Sequence, residues 1–227
     1  MHVGVKLEYD KSSALELPAF EPEEIDFWLN NAILKFTKTR YSGMNVKGTS
    51  FEQTQKRTDD LRTLVVTVDL LPFGNGSFPN STQFEYPSTD SFISSPNYLF
   101  TLQEETTIAV DGVSSGRVGV TECTLDEYSA MIADPFSEHI LHYGTAKPLR
   151  IYNNNVIEII DDGNYSITYY HISYIKVPAT VALSTATDCD LPEHTHDEIV
   201  KMAANMMLEN VEQPRYRTHA NELNTME

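Results

Sequence analysis

Apolar positions change their period twice along the chain, and the changes predict where helices give way to strands and back. Between residues 22 and 42, Ile25, Leu29, Ala32, Ile33 and Phe36 recur at i, i+4, i+7, i+8 and i+11, the spacing of one buried face of an α-helix. Pro22 suits a first helical position, Glu23, Glu24 and Asp26 sit at the positive end of the helix dipole, and Lys35, Lys38 and Arg40 sit at the negative end. Gly43 is placed to end the helix. Phe27, Trp28 and Leu34 fall off the main stripe, so a second side is apolar as well, as expected of a helix deep in a core or against a neighbouring subunit. Ser50 and Gln53 read as a capping box that opens a second helix to about Arg62. That helix is mostly polar, the pattern of a helix that contacts another chain or lines a solvent channel.

From Leu64 the period becomes that of strands. Leu64–Leu71 is a β-branched run stopped by Pro72. The Pro-, Ser-, Thr- and Asn-rich stretch 72–97 predicts one long loop, and loops of that length inside a domain are usually functional arms. Tyr98–Val110 and Arg117–Thr124 resume strand character, and Thr124 with Glu127 caps a short helix through Ile132. Arg150–Ile160 predicts a hairpin turning at Asn153–Asn155, and Tyr165–Val177 a long strand. Asp190-Leu191-Pro192-Glu193 reads as the capping box of a last helix whose stripe is Ile199, Met202, Ala203, Met206 and Met207, ended by Gln213-Pro214. Arg215–Glu227 has no core pattern and is expected to order only on a partner.

The pattern therefore predicts an α+β fold in which an N-terminal helix pair and a C-terminal helix pack together around a large antiparallel β-rich insertion. The boundaries are an N-terminal extension at 1–20, a helical part at 21–63 and 188–212, a β-rich part at 64–187 with its loop at 72–97, and an interaction tail at 213–227.

Charge alters this picture. The 227 residues carry a net charge of −17, and it is unevenly spread. Residues 1–63 hold 9 Lys and Arg against 10 Asp and Glu, whereas 64–227 hold 7 against 23. A surface so acidic argues against conventional nucleic-acid binding and suits either solubility or a wall past which a polyanion slides. Cys123 and Cys189 are too few for a disulfide framework. No signal-peptide run and no membrane span are expected.

Candidate chemistry is sparse. His194 and Glu198 stand at i, i+4, the spacing of two metal ligands on a helix, which keeps a metal-dependent hydrolase as an alternative, although no third ligand is identifiable. His139 and His142 form another close pair. Cys123 has no basic neighbour except Arg117 to make it a reactive thiolate. No nucleophile elbow, phosphate-binding loop or dinucleotide turn occurs. Neither an enzymatic activity nor a cofactor is expected.

The stretch from Glu23 through Phe27, Trp28, Leu29 and Phe36 to Arg40-Tyr41 resembles the first helix of head-to-tail connector proteins of tailed bacteriophages, most of all the ring proteins of crAss-like phages. Leu191-Pro192-Glu193-His194, Asp197-Glu198-Ile199-Val200 and Pro214-Arg215-Tyr216 resemble the C-terminal helix of the same group. The layout is similar to tail tubular protein A. The resemblance implies a structural virion protein, assembled in the host cytoplasm into a homo-oligomeric ring of twelve subunits beneath the portal protein. Further tail or ring proteins would dock on it, genomic DNA would pass through its lumen without specific binding, and no membrane would be involved. It implies ring packing through Phe27, Trp28 and Phe36, and portal contact through Gln213, Pro214, Arg215, Tyr216 and Arg217. Trp28 as a core residue and Arg215 as the cationic end of a helix are the plainer readings. Another tail or minor capsid protein is the alternative within the virion.

Overall fold

The computed structural model describes residues 1–12, 20–42, 51–86, 98–153 and 156–211. In chain order its elements are α1 (His2–Ser12), α2 (Pro22–Ser42), α3 (Gln55–Leu61), β1 (Val65–Leu70), β2 (Gly74–Asn75), β3 (Ser81–Glu85), β4 (Tyr98–Val110), β5 (Val113–Gly119), β6 (Thr121–Glu122), α4 (Tyr128–Ala133), β7 (Leu149–Asn153), β8 (Val156–Ile160), β9 (Ser166–Lys176) and α5 (His196–Asn210). The fold is α+β. Met1–Leu64 with Val177–Glu227 form one compact unit, and Val65–Lys176 the other.

In the helical unit, α2 buries Ile25, Leu29, Ala32, Ile33 and Phe36, the five residues of the predicted stripe, and continues it to Thr37 and Arg40. Its partner is α5, whose buried residues are Ile199, Val200, Ala203, Ala204, Met207 and Leu208. This corrects the narrower stripe expected: Met202 and Met206 are only half-buried, and Val200, Ala204 and Leu208 are buried instead. The reason is a helix that the pattern did not show. α1 packs on α5 as well, burying Val5 and Tyr9, so α5 is covered on two sides. Gly4 permits that approach, since a Cβ there would lie 3.2 Å from a Val200 methyl.

The capping expectations need correction too. Ser50 lies outside the described residues. A single 3₁₀ turn covers Phe51–Gln53, and Thr54 caps α3, its hydroxyl accepting from the Arg57 N–H at 3.4 Å. The Asp190 carboxylate accepts from the Ala179 N–H at 3.3 Å rather than capping α5, and a 3₁₀ turn at Glu193–Thr195 leads into that helix. Nor is α3 a polar rod in solvent: Arg57, Asp60 and Leu61 are buried.

The β unit is two sheets face to face. One has the order β1-β9-β4-β5 and the other β2-β3-β8-β7-β6, and all neighbours are antiparallel except β6 with β7. Ile108, Tyr170, Ile172 and Tyr174 from the first sheet meet Phe84, Ile157 and Ile159 from the second in one core. On the far side of the second sheet, Cys123, Leu149, Ile151 and Ile160 pack with Phe78, Tyr128 and Met131. Strand β8 is thus covered on both faces, which explains its nearly continuous apolar sequence.

The expected loop at 72–97 contains strands β2 and β3; residues 87–97 lie outside the described part. A buried carboxylate organises this stretch. Glu158 accepts from the Ser77 N–H at 2.8 Å, the Ser81 hydroxyl at 3.3 Å, the Gln83 amide at 3.3 Å and the Asn153 amide at 3.0 Å. Gly76 passes so close that an added Cβ would stand 1.9 Å from the Ser81 Oγ and 2.6 Å from a Glu158 oxygen. A polar anchor of this kind leaves no trace in hydrophobic periodicity.

Candidate assembly surfaces

The residues with enzymatic potential are taken up by structural contacts. Arg40, 1% exposed, lies 4.7 Å over the Phe36 ring. It pairs with Asp60 of α3 at 3.0 Å and donates through one nitrogen to both Glu198 oxygens of α5. His194 Nε2 stands 3.1 Å from the other Asp60 oxygen. The two would-be metal ligands therefore belong to a four-residue ionic cluster that ties three helices together. Burial raises the Glu198 pKa, and Arg40 and Lys56 offset only part of that. Among the described residues no group of three or more His, Cys, Asp or Glu is placed to hold a metal ion.

The other candidates stand apart from this cluster. His139 is buried with its pKa lowered by that burial, Nδ1 beside the Ser137 hydroxyl at 2.8 Å, while His142 is exposed. Burial pushes the Cys123 thiol up, and Glu127 and Asp126 push it further; Cys189 is raised by burial as well. Both cysteines are free thiols.

The eight predicted interface residues separate into three groups. Phe27 is 59% exposed and meets Trp28 edge-to-face at 5.2 Å, and Trp28 is half-buried. Phe36, by contrast, is 1% exposed. It is enclosed by its own chain beneath Arg40, a correction to its place among the surface residues. Gln213, Pro214, Arg215, Tyr216 and Arg217 lie outside the described residues.

Around Phe27 the outer side of α2 carries half-buried Asn31 and Leu34 and exposed Lys35 and Lys38. This side is i, i+4, i+7 and i+11 from Phe27 through Lys38, so it forms one stripe. At the start of the same helix, Asp26 accepts from the Leu183 N–H at 3.1 Å and pairs with His2 of α1, and Asn30 exchanges hydrogen bonds with the Val181 backbone at 2.9 and 2.8 Å. These bonds fix the strand-free segment after Val177 against α2 and hold the outer stripe in place.

Sequence reasoning missed a second outward-facing stripe. Leu125, Ile132 and Phe136, the last 87% exposed, flank and occupy α4, which buries none of its residues fully. Exposed Asp126, Glu127 and Asp134 accompany them, and residues 118–146 contain no Lys or Arg. The signal was present as the i, i+7, i+11 spacing of these three apolar residues, beside Tyr128 and Met131 on the inward side.

Within the β unit the acidic balance is sharpest: Val65–Lys176 holds 4 Lys and Arg against 14 Asp and Glu. Arg150, Lys147 and Arg117 each lie against carboxylates of the same unit. Arg150 is buried between the sheets against Glu104 at 3.0 Å, with its guanidinium 4.0 Å over the Tyr152 ring, while Tyr152 and Tyr170 donate to the same Glu104 carboxylate. Lys147 pairs with Glu138 at 3.0 Å, and Arg117 lies near Asp69 and Glu105.

Comparison with known proteins adds the following. A family model described as phage tail ring protein 3/4 matches residues 5–218. "Ring protein 4/5" of Bacteroides phage crAss001 is 24% identical over 113 residues, which cover 43% of this chain and 47% of that protein. The chain thus spans about half the length of this curated relative.

Proposed function

The chain belongs to the phage tail ring protein 3/4 family of crAss-like phages, and from that premise we propose that it is a non-enzymatic virion subunit forming a ring at the head-to-tail junction. The ring joins the portal protein to the tail and continues the channel through which DNA leaves. Twelve subunits would match a portal-docked ring, with assembly in the host cytoplasm. The helical unit packs between neighbours, with Phe27 and Trp28 at that contact, and the segment Gln213–Arg217 reaches toward the portal. The observation that carries this reading is the family match over nearly the whole chain. It is supported by the engagement of the candidate ligands, Glu198 with buried Arg40 and His194 with buried Asp60.

An acidic lumen suits the passage of DNA, because phosphates find no cationic surface to hold them. Imaging of purified virions tests the proposal. A ring of this chain against the portal, with an acidic lining, is the expected result. A lumen lined by Lys and Arg would refute the sliding wall, and copies located elsewhere in the tail or capsid would instead favour a different structural role in the virion.

A further inference from the structure

We propose that the outer stripe of α2 in one copy docks on the α4 stripe of the next copy, so that the repeating contact is heterologous. The inference rests on the ring reading above and names the surfaces that would close the ring. Each stripe is incomplete alone. α2 presents Phe27 and Leu34 with Lys35 and Lys38 beside them, in a protein with only 16 Lys and Arg against 33 Asp and Glu. The two lysines are exposed and have no acidic partner at ion-pair distance among the described residues. The α4 segment presents Leu125, Ile132 and Phe136 among Asp126, Glu127 and Asp134. The α2 stripe follows helical spacing, the α4 segment adds residues on either side of its short helix, both leave large apolar side chains in water, and their charges are opposite.

Apolar patches of this kind with charged rims mark protein contacts, and complementary rims set which patches meet. Two different patches on one chain generate a head-to-tail contact that repeats, and a repeating contact closes a ring when its rotation allows. Glu23 and Glu24 at the start of α2 repel the acidic stripe, so the contact is set toward the Leu34–Lys38 end of α2.

Crosslinking of the full-length chain tests this in a Cys189→Ser background. A Leu34→Cys chain mixed with a Phe136→Cys chain is expected to form an interchain disulfide on mild oxidation, well above a control mixture of Leu34→Cys with Val113→Cys. Lys35→Glu with Lys38→Glu on the first chain should abolish it at low salt. Asp126→Lys with Glu127→Lys on the second chain should restore it. Circular dichroism melting of each variant checks that it is folded. Crosslinking no better than the control, or unaffected by the charge reversals, overturns the contact. The same crosslink attempted in virions separates the two levels: rings of this chain that never yield it refute the contact alone, whereas virions in which the chain forms no ring refute both.

Discussion

Arg40 joins α2 to α3 and α5 through ionic contacts. Buried beneath the surface, it faces two carboxylates, Asp60 and Glu198, and an aromatic ring. Removing one partner of a buried ion pair leaves an uncompensated charge and costs about 3–5 kcal/mol. Arg40→Met is therefore expected to lower the melting temperature sharply. Glu198→Gln should differ, because the raised pKa of Glu198 means that burial outweighs its attraction to Arg40. A folded-state pKa above the unfolded value contributes stability at low pH that is lost as pH rises through it. At neutral pH the Gln variant is therefore expected to melt within about 1 kcal/mol of the parent chain or above it; a loss as large as that of Arg40→Met would sink this account. Arg40 was also the residue most misread in sequence terms. Its place at the basic end of α2 matched a dipole role, yet it lies four residues after Phe36 on the buried stripe. The spacing was visible, but a charged residue on an apolar stripe carries no signal of which carboxylates will meet it.

At the scale of elements, α2 was legible from end to end because cap, stripe and charge gradient agree. The strands β1, β4 and β9 were legible for the same reason. Elements held by single polar anchors or by small residues were not. In α1 the apolar residues Val3, Val5, Leu7 and Tyr9 alternate like a strand, and tertiary packing through Gly4 overrides that local preference. β2 and β3 depend on Glu158, whose pKa lies below the ordinary glutamate value. Burial pushes it up, but hydrogen bonds from Asn153, Ser77 and Gln83 more than offset that. A depressed pKa adds stability above the unfolded pKa, and that stability fades as pH falls through the folded value. Glu158→Gln is accordingly expected to cost about 1–3 kcal/mol at neutral pH and to flatten the acid limb of a stability–pH profile. Gly76→Ala should loosen the same stretch, read as faster amide exchange in β2 and β3, since its methyl group would overlap Ser81 and Glu158. Unchanged exchange would show that the stretch has another anchor.

For the molecule as a whole, the β unit is an insertion whose two ends lie side by side. Val65 of β1 is paired with Ile175 of β9, so the chain leaves the helical unit and returns to it at neighbouring positions. Neighbouring β-sheet strands lie about 5 Å apart, a gap that a short Gly-Ser link spans. A chain with such a link in place of residues 65–176 is expected to retain helical circular dichroism and a cooperative melt, and the excised β unit should fold separately. Loss of cooperative melting in the shortened chain would refute the autonomy of the helical unit. The surfaces proposed for assembly differ in legibility. Phe27 and Trp28 stood out because aromatic residues off a stripe are conspicuous, whereas the α4 stripe is spread over a segment only partly helical.

The same insertion sets an order of events during synthesis. The apolar face of α2 leaves the ribosome long before α5, its packing partner, has been made. At about 5–20 residues per second, translating Val65–Lys176 takes on the order of ten seconds. Throughout that interval Ile25, Leu29, Ile33 and Phe36 have no α5 to cover them, while the β unit, contiguous in sequence, can already close its own core. The helical unit is therefore the last part of each subunit to be completed, and the nascent chain carries a sticky helix that a host chaperone has time to hold.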